Sequence, residues 1–360
     1  MRAANKFPHN LFQYYPRRHY GSYRIIVRSE NSAEVEEYVS KLAGARWDHK
    51  LNAWHVPDNK TYRKLFNIKH EYVTPGMLKC VHEVNRQTLK DFCDFLQLKA
   101  FSHYTIRTYL NEFVQLLSIL KSVPVDTLDT SRLKSYFLYC MNELNLSENT
   151  MHSRINAVKC YFENVLHKPA IFLDIPRPKK PQLLPRVLAV EDVRRILVLT
   201  TNLKHNTMLK ICYGMGLRVS EIVALRISDV DSKTMQVFIG RAKGKKDRYV
   251  NLPATLLDQL RIYFKTYRPK VFLFEGQYGG EYSVRSAQKV FEQAVLRAKI
   301  DVHTGIHGLR HSYATHSMEQ GIDIRYIQAL LGHNDIRTTL RYTHVTNISI
   351  QNIKSPLDRM

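Results

Sequence analysis

Four short segments of this 360-residue chain carry side chains suited to chemistry on a phosphodiester. They read GMGLRVSEIVALR from Gly214, GRAKGKKDRYVNL from Gly240, IHGLRHSYATH from Ile306 and LLGHNDIRTTLRYTH from Leu330. Breaking a phosphodiester bond requires a nucleophile, cations at the nonbridging oxygens and a proton for the leaving oxygen. Arginine suits the second task because its planar fork donates two parallel hydrogen bonds to phosphate oxygens.

The spacing of these side chains predicts that they can converge. Arg218 follows a glycine and precedes a helical run, so its side chain can project from a helix start. Arg310 lies three residues after His307, which places both on one helical face. His333 follows a glycine where a helix is expected to end, and Tyr342 comes nine residues later. The set predicts a tyrosine nucleophile with cationic and imidazole partners.

Neither a metal nor a cofactor is expected at this site. A two-metal nuclease would need several converging carboxylates, and no cluster of Asp or Glu with metal-ligand spacing accompanies the four segments. The five cysteines are odd in number, widely spaced and free of any C-x-x-C pair. That pattern argues against a disulfide framework or a zinc site and fits a reducing cytoplasm.

The composition indicates a globular protein with a polyanionic partner. Hydrophobic residues make up 44% and charged residues 24%, and no apolar run is long enough to cross a membrane. The start of the chain is basic but has no apolar segment of the secretory type, so a cytoplasmic location is expected. The formal net charge of +22 favours nucleic acid over ribosome association or an acidic protein partner.

We predict a mainly α fold with a small β-sheet and four segments along the chain. Residues 1–75 form a small α/β accessory domain, and residues 76–168 form a helical domain. Residues 169–187 are rich in proline and form an extended linker. Residues 188–360 form a mixed α/β domain with a strand pair near 234–240 and 248–252.

Within the accessory domain, β-branched residues predict a strand over Ser22–Ser29, followed by a helix that Asn31 caps and Gly44 ends. The segment RWDHKLNAWHVP predicts a hairpin with Trp47 and Trp54 on either side of a polar turn. A small core around these two rings is the preferred interpretation, and stacking on DNA is the alternative.

The helical domain is expected to contain four amphipathic helices because apolar residues repeat at intervals of three and four. Ser102, Thr130 and Ser147 are candidate helix caps. Four basic side chains on the polar faces are candidates for contacting DNA phosphates, with an ordinary solvated face as the alternative for each: Arg107, Arg132, Arg154 and Lys159.

The ordered set Arg, Lys, His-x-x-Arg, His, Tyr resembles that of the tyrosine recombinases, also called phage-type integrases. The resemblance runs from about Leu188 to Val345. It implies that residues 76–168 correspond to the core-binding domain and residues 188–360 to the catalytic domain. It further implies cleavage and rejoining of double-stranded DNA by a homotetramer on two synapsed sites. Residues 1–75 resemble an arm-binding or accessory domain only in their position.

Carried over by motif, the resemblance implies that Tyr342 is the nucleophile and forms a 3′-phosphotyrosine. Arg218 and Arg310 clamp the scissile phosphate. His307 and His333 donate hydrogen bonds to it, and His307 also assists proton movement from the tyrosine. An acidic residue one turn beyond the first arginine, Glu221, orients an arginine or His307.

The resemblance also implies a lysine on a hairpin turn that protonates the leaving 5′ oxygen. Lys243, which a glycine follows, fits this position best, with Lys245 and Lys246 as alternatives. The family usually has glycine where Ala242 stands and often proline where Asn251 stands, which puts the hairpin's geometry in doubt more than the chemistry.

Two other functions remain open from the sequence. One is a DNA-binding regulator that keeps the scaffold without its chemistry, and the other is a relaxing topoisomerase that nicks and reseals a single duplex. Several residues near the site are expected to have only ordinary packing or surface roles: His311, His316, His344, Tyr313 and Tyr326.

Overall fold

A computed structural model describes residues 12–19, 22–29, 33–68, 71–168, 176–178, 185–240, 247–301 and 304–343. The chain divides into two compact units. The first unit combines Met1–Ile68 with Leu183–Met360, and the second unit contains Lys69–Gln182. The described residues are mostly helical with two small sheets, which confirms the predicted fold class. The four-segment domain division remains a prediction.

The N-terminal part of the first unit is a four-stranded antiparallel sheet with two helices. The strand order is β1-β2-β4-β3. Because side chains alternate across a strand, Ile25, Val27 and Val56 share one face, and Val39 and Tyr62 from the helices pack with them. The elements are β1 (Phe12–His19), β2 (Ser22–Ser29), α1 (Ala33–Ser40), β3 (Arg46–Asp48), β4 (Ala53–Pro57) and α2 (Lys60–Leu65).

The structure confirms the predicted strand over Ser22–Ser29 and the tryptophan hairpin. Trp47 and Trp54 pair across β3 and β4, with ring centroids 5.6 Å apart in an edge-to-face contact. This contact favours the core interpretation of the two rings. The sequence prediction missed β1, which contains Pro16; an edge strand tolerates proline because one side of its backbone is unpaired. Asn31, the predicted cap, lies outside the described residues.

The second unit is a set of packed helices around an aromatic core. Phe92, Phe113 and Tyr161 meet there, with ring centroids 4.9 Å apart for the first pair and 4.5 Å for the second. The four longer helices match the four amphipathic helices that the sequence predicts. The helices are α3 (Pro75–Cys80), α4 (Arg86–Leu98), α5 (His103–Leu120), α6 (Thr130–Asn142) and α7 (Glu148–Asn164).

Two of the three predicted helix caps are confirmed in this unit. Ser102 and Ser147 accept hydrogen bonds from backbone amides of the first turns of α5 and α7. Thr130 is not the cap of α6. Asp129 takes that place, and its carboxylate accepts from the amide of Arg132 at 2.7 Å.

The predicted DNA contact by Arg154 needs correction. Its side chain is buried, and Nε donates to the carboxylate of Glu112 at 2.8 Å, so it forms an internal ion pair between α5 and α7. The helical pattern alone placed Arg154 on a polar face, but the neighbouring helix covers that face. Arg107 and Arg132 are exposed and Lys159 is half-exposed, and DNA contact by these three stays a prediction.

The C-terminal part of the first unit surrounds a second apolar core that includes Ile222, Phe274 and Phe291. The strand pair predicted near 234–240 and 248–252 is confirmed as β6 and β7, which pair antiparallel. The elements are α8 (Val190–Leu199), α9 (Leu203–Met215), α10 (Val219–Ala224), β5 (Val230–Asp231), β6 (Gln236–Ile239), β7 (Arg248–Asn251), α11 (Ala254–Tyr267), α12 (Val284–Arg297), α13 (His307–Glu319), α14 (Ile324–Leu331) and α15 (Ile336–Leu340).

Two predicted features fall largely beyond the described part of the chain. The proline-rich linker 169–187 is described only at residues 176–178 and 185–187, and the turn between β6 and β7 is omitted at residues 241–246. Within the described residues, no helix combines the length and apolar character needed to cross a lipid bilayer.

Candidate active site

The first element of the candidate site is the start of α10, where Arg218 and Glu221 hold each other. The backbone amide of Arg218 donates to Glu221 Oε2 at 2.9 Å, and its Nη1 donates to Oε1 at 2.8 Å. The same carboxylate therefore caps the start of α10 and orients the guanidinium of Arg218. As the sequence predicts, the Arg218 side chain projects from the helix start.

Glu221 also organises a second arginine that the sequence interpretation missed. Arg248 on β7 donates to both carboxylate oxygens, at 3.0 Å from Nη1 and 2.8 Å from Nη2. Burial of Glu221 opposes its ionisation, but hydrogen bonds and charge from Arg248 and Arg218 outweigh burial and lower its pKa to about 2. Glu221 is thus an ionised carboxylate at neutral pH.

Arg310 is buried in α13, and the ends of two other helices hold its guanidinium. Nη1 donates to the carbonyl of Gly216 after α9, and Nη2 donates to the carbonyl of Leu331 at the end of α14, each at 2.7 Å. Carbonyls at helix C-termini lack partners within their helix and carry partial negative charge. Burial, followed by the positive charge of Arg218, lowers the pKa of Arg310 to about 10, so it remains charged at neutral pH.

His333 connects Arg310 to the segment that carries the tyrosine. Nε2 of His333 lies 3.1 Å from Arg310 Nη2, and Nδ1 lies 2.9 Å from the hydroxyl oxygen of Thr339. Arginine only donates, so Nε2 accepts and the ring proton sits on Nδ1. Burial, followed by the charge of Arg310, lowers the pKa of His333 to about 4, so the ring is neutral at pH 7.

Tyr342 is buried, and its hydroxyl oxygen lies 2.9 Å from Nδ1 of His311, at hydrogen-bonding distance. Its ring lies stacked with that of His333, at 6.4 Å between centroids and 15° between planes. Burial raises the pKa of the Tyr342 phenol despite the opposing charge of Arg310. His311, for which the sequence predicts only an ordinary packing role, is thus in contact with the Tyr342 hydroxyl.

Five of the six predicted catalytic residues line one open cavity of about 380 Å³. His307 is exposed at the start of α13, and partial desolvation, followed by the charges of Arg310 and Arg218, lowers its pKa. Lys243 and its alternatives Lys245 and Lys246 lie outside the described residues. The predicted residues that line the cavity are Arg218, His307, Arg310, His333 and Tyr342.

Of the two residues that the sequence interpretation missed, His311 and Arg248, only the first has a local signal in the sequence. His311 directly follows Arg310 in HGLRH and lies four residues after His307, so helical periodicity places it on the same face. Arg248 ends a lysine-rich turn, and its contact with Glu221 brings together residues 27 positions apart. Local periodicity gives no signal for that second contact.

The other residues expected to have ordinary roles keep them where the structure describes them. His316 is buried, and its Nδ1 lies 2.9 Å from the hydroxyl of Tyr213. Tyr313 packs against the apolar cluster that includes Tyr342, and Tyr326 is exposed. His344 lies outside the described residues.

One side-chain group among the described residues has a spacing compatible with a metal ion: His19, Asp48 and His55 on the N-terminal sheet. Nδ1 of His55, however, accepts a hydrogen bond from Arg24 Nε at 2.9 Å, so the proton of the neutral ring sits on Nε2. Neither ring nitrogen of His55 then has a lone pair free for a metal ion, and the positively charged Arg24 contacts the group. We assign this group a structural role, with His19 Nε2 paired to Asp48 at 2.6 Å.

Two segments of the chain match known protein families. Residues 186–348 match the phage integrase family, and residues 88–171 match the phage integrase N-terminal SAM-like domain. A putative integrase/recombinase, y4qK, from Sinorhizobium fredii is 35% identical over 268 residues, covering 73% of this chain and 86% of the relative. The tyrosine recombinase XerA from Pyrococcus horikoshii is 34% identical over 266 residues, covering 73% and 90%.

Solved structures share the fold at low sequence identity. A lambda integrase dimer bound to a COC′ core site gives a TM-score of 0.60 at 13% identity, covering 83% of this chain and 91% of that one. The Tn1549 transposon integrase with transposon right end DNA gives a TM-score of 0.58 at 17% identity, covering 75% and 96%. These likenesses show the fold of the matched part of the chain.

Proposed function

Because this chain belongs to the phage integrase family of tyrosine recombinases, we propose that it exchanges strands between two DNA sites through a covalent 3′-phosphotyrosine on Tyr342. One observation carries the proposal: Tyr342 lines the same cavity as Arg218 and Arg310. A phenol, with an ordinary pKa near 10, is a better leaving group than an alcohol. A second DNA end can therefore reverse the covalent link without ATP.

The two arginines are held before DNA arrives, which supports their role as the phosphate clamp. Glu221 fixes Arg218, and two helix-terminal carbonyls fix Arg310. Donors oriented in advance stabilise developing charge more effectively than donors that must reorganise during the reaction. Each guanidinium retains further N–H groups for the nonbridging oxygens, since arginine carries five donors.

His307 and His333 take their proposed role only when a phosphate is present. Burial, followed by the positive charges of Arg310 and Arg218, lowers the pKa of both rings, so both are neutral in the free protein at pH 7. A bound phosphodiester brings negative charge next to the rings and raises those pKa values. His333 then gains the proton on Nε2 that it needs to donate to a phosphate oxygen in place of accepting from Arg310.

The leaving 5′ oxygen needs a proton, and we propose Lys243 as its donor, with Lys245 and Lys246 as alternatives. The Lys243→Ala variant should cleave normal DNA at least a hundredfold more slowly. It should recover on DNA with a bridging 5′ sulfur, because a thiolate leaves without protonation. Equal loss on oxygen and sulfur substrates would point to another acid.

The proposed partner is double-stranded DNA, and the net charge of +22 supports a phosphate-rich ligand. Structures of related integrases contain DNA, and one holds an integrase dimer on its core site. By analogy, the helical segment 76–168 grips the duplex, residues 1–75 serve as an accessory or arm-binding domain, and four copies act on two synapsed sites. A cytoplasmic enzyme of a mobile element fits this activity.

Trapping the covalent complex tests the proposal directly. The protein is incubated with genomic DNA of its source, denatured and recovered with attached DNA, whose ends give the cleavage site. Tyr342→Phe should bind DNA and form no adduct, whereas Tyr326→Phe, the same change at an exposed ring, should match the wild type. An adduct of wild-type yield from Tyr342→Phe would refute the assignment. Joined products from two duplexes distinguish a recombinase from a topoisomerase.

A further inference from the structure

The hydroxyl of Tyr342 forms a hydrogen bond with His311, a residue that the family motif leaves without a role. The oxygen lies 2.9 Å from Nδ1, and the two ring centroids lie 5.7 Å apart. Both side chains line the cavity that holds Arg218 and Arg310. The contact is therefore at the reacting atom and not in the packing behind it.

Attack by Tyr342 requires a proton acceptor at this oxygen. Burial raises the pKa of the phenol above its ordinary value, so the hydroxyl is protonated at neutral pH. An acceptor must take the proton as the new bond forms, because a neutral phenol is a weak nucleophile. The acceptor has to lie within hydrogen-bonding distance, which His311 satisfies.

We propose that Nδ1 of His311 accepts the proton of the Tyr342 hydroxyl as that oxygen attacks the scissile phosphate. The inference rests on the proposed function and assigns the base to His311 in place of His307, to which the resemblance gives a part in moving the tyrosine proton. The bond from the tyrosine oxygen to phosphorus forms, and the bond from phosphorus to the 5′ oxygen breaks. The phenolic proton moves to Nδ1, and the departing 5′ oxygen takes a proton from the general acid. In rejoining, His311 returns its proton to Tyr342.

The charge around His311 agrees with this role. Burial, followed by the effects of His307, Arg310 and Arg341, lowers its pKa to about 4, so the ring is neutral at pH 7. In the tautomer that carries its proton on Nε2, the lone pair of Nδ1 accepts from the phenol. Once DNA is bound, the phosphodiester opposes these cations and makes the imidazolium easier to form. His307, one helical turn earlier, is left free to donate to the phosphate.

The test measures the rate of adduct formation against pH on a duplex that carries the mapped cleavage site with a bridging 5′ sulfur. The sulfur removes the need for an acid, so the profile reports the base. His311→Gln can accept the hydrogen bond of the phenol without taking its proton. We expect a loss of 10²- to 10⁴-fold at pH 7 and a rate that climbs with hydroxide concentration. His311→Ala should regain rate with added imidazole.

Two results would overturn the inference. One is cleavage by His311→Gln within threefold of the wild type. The other is a loss with an unchanged pH profile and no rescue by imidazole, which would make His311 a packing residue. Tyr342→Phe separates the two proposals: if it forms no adduct while His311→Gln is normal, the nucleophile stands and only the base is wrong. If Tyr342→Phe forms adducts, the proposed function itself fails.

Discussion

Replacing Glu221 with glutamine would test whether one buried carboxylate holds the phosphate clamp together. The substitution keeps the shape of the side chain and removes its charge. Glu221 is 8% exposed and its pKa falls from the ordinary 4.5 to about 2. That difference corresponds to about 3 kcal/mol of free energy of unfolding at pH 7. Two arginines, Arg218 and Arg248, would lose their shared counter-charge.

Hydrogen exchange of the backbone amides of α10 and α13, followed by mass spectrometry, reports the opening free energy of this region. Because the folded-state pKa of Glu221 is depressed, its contribution is fully present above about pH 4.5 and is lost as pH falls through about 2. The advantage of the wild type over Glu221→Gln should thus decline from about 3 kcal/mol at pH 7 to roughly 1.4 kcal/mol near pH 3. Adduct formation should fall in parallel at pH 7.

Glu191→Gln is a matched control because Glu191 also pairs with an arginine three residues away but is exposed. We expect it to change the opening free energy by less than about 0.5 kcal/mol. Equal protection of wild type and Glu221→Gln at pH 7, or a difference independent of pH, would refute the reasoning. In that case the carbonyls at the end of α14 would hold the two arginines: Gly332 accepts from Arg218 Nη2 at 3.4 Å, and Leu330 accepts from Arg248 Nε at 2.8 Å.

Three further substitutions probe the supports of the site and of the helical unit. Arg248→Lys cannot bind both oxygens of Glu221, so we expect adduct formation to slow at least tenfold with DNA affinity retained in a gel-shift assay; an unchanged rate would contradict this. Gly216→Ala places a Cβ 2.4 Å from the ring of Tyr313 at a φ of +62°. We expect the free energy of unfolding, measured by urea denaturation, to fall by about 2–4 kcal/mol. An unaltered free energy would show that the ring can move. Arg154→Ala leaves the carboxylate of Glu112 without its partner and should lower the free energy of unfolding by about 3–5 kcal/mol. The double variant Arg154→Met with Glu112→Leu should restore most of that loss. Equal stability of the single and double variants would argue against the ion pair.

The sequence by itself identified the candidate reacting groups and the helices beside them. Arg310 and His307 share a face because three residues nearly complete a helical turn, and the structure places both in the cavity with Tyr342. Ser102 and Ser147 were found as caps because a cap bonds to amides two or three residues away. In each case the physics acts over less than one helical turn, so it can be read from neighbouring letters.

Only the tertiary structure decided which groups pair across distance. Arg154 occupies a position that the helical pattern predicts to be polar and exposed, but a neighbouring helix covers it. Arg248 lies on a strand and contacts Glu221, which is 27 residues away in the sequence. His311 is set on the right face by periodicity, but its partner Tyr342 lies 31 residues further on. Burial and long-range hydrogen bonds arise from how elements pack, and these same effects fix the protonation of the site. The sequence identifies the ionisable side chains of the site, and their packing shifts the pKa values that set their charge.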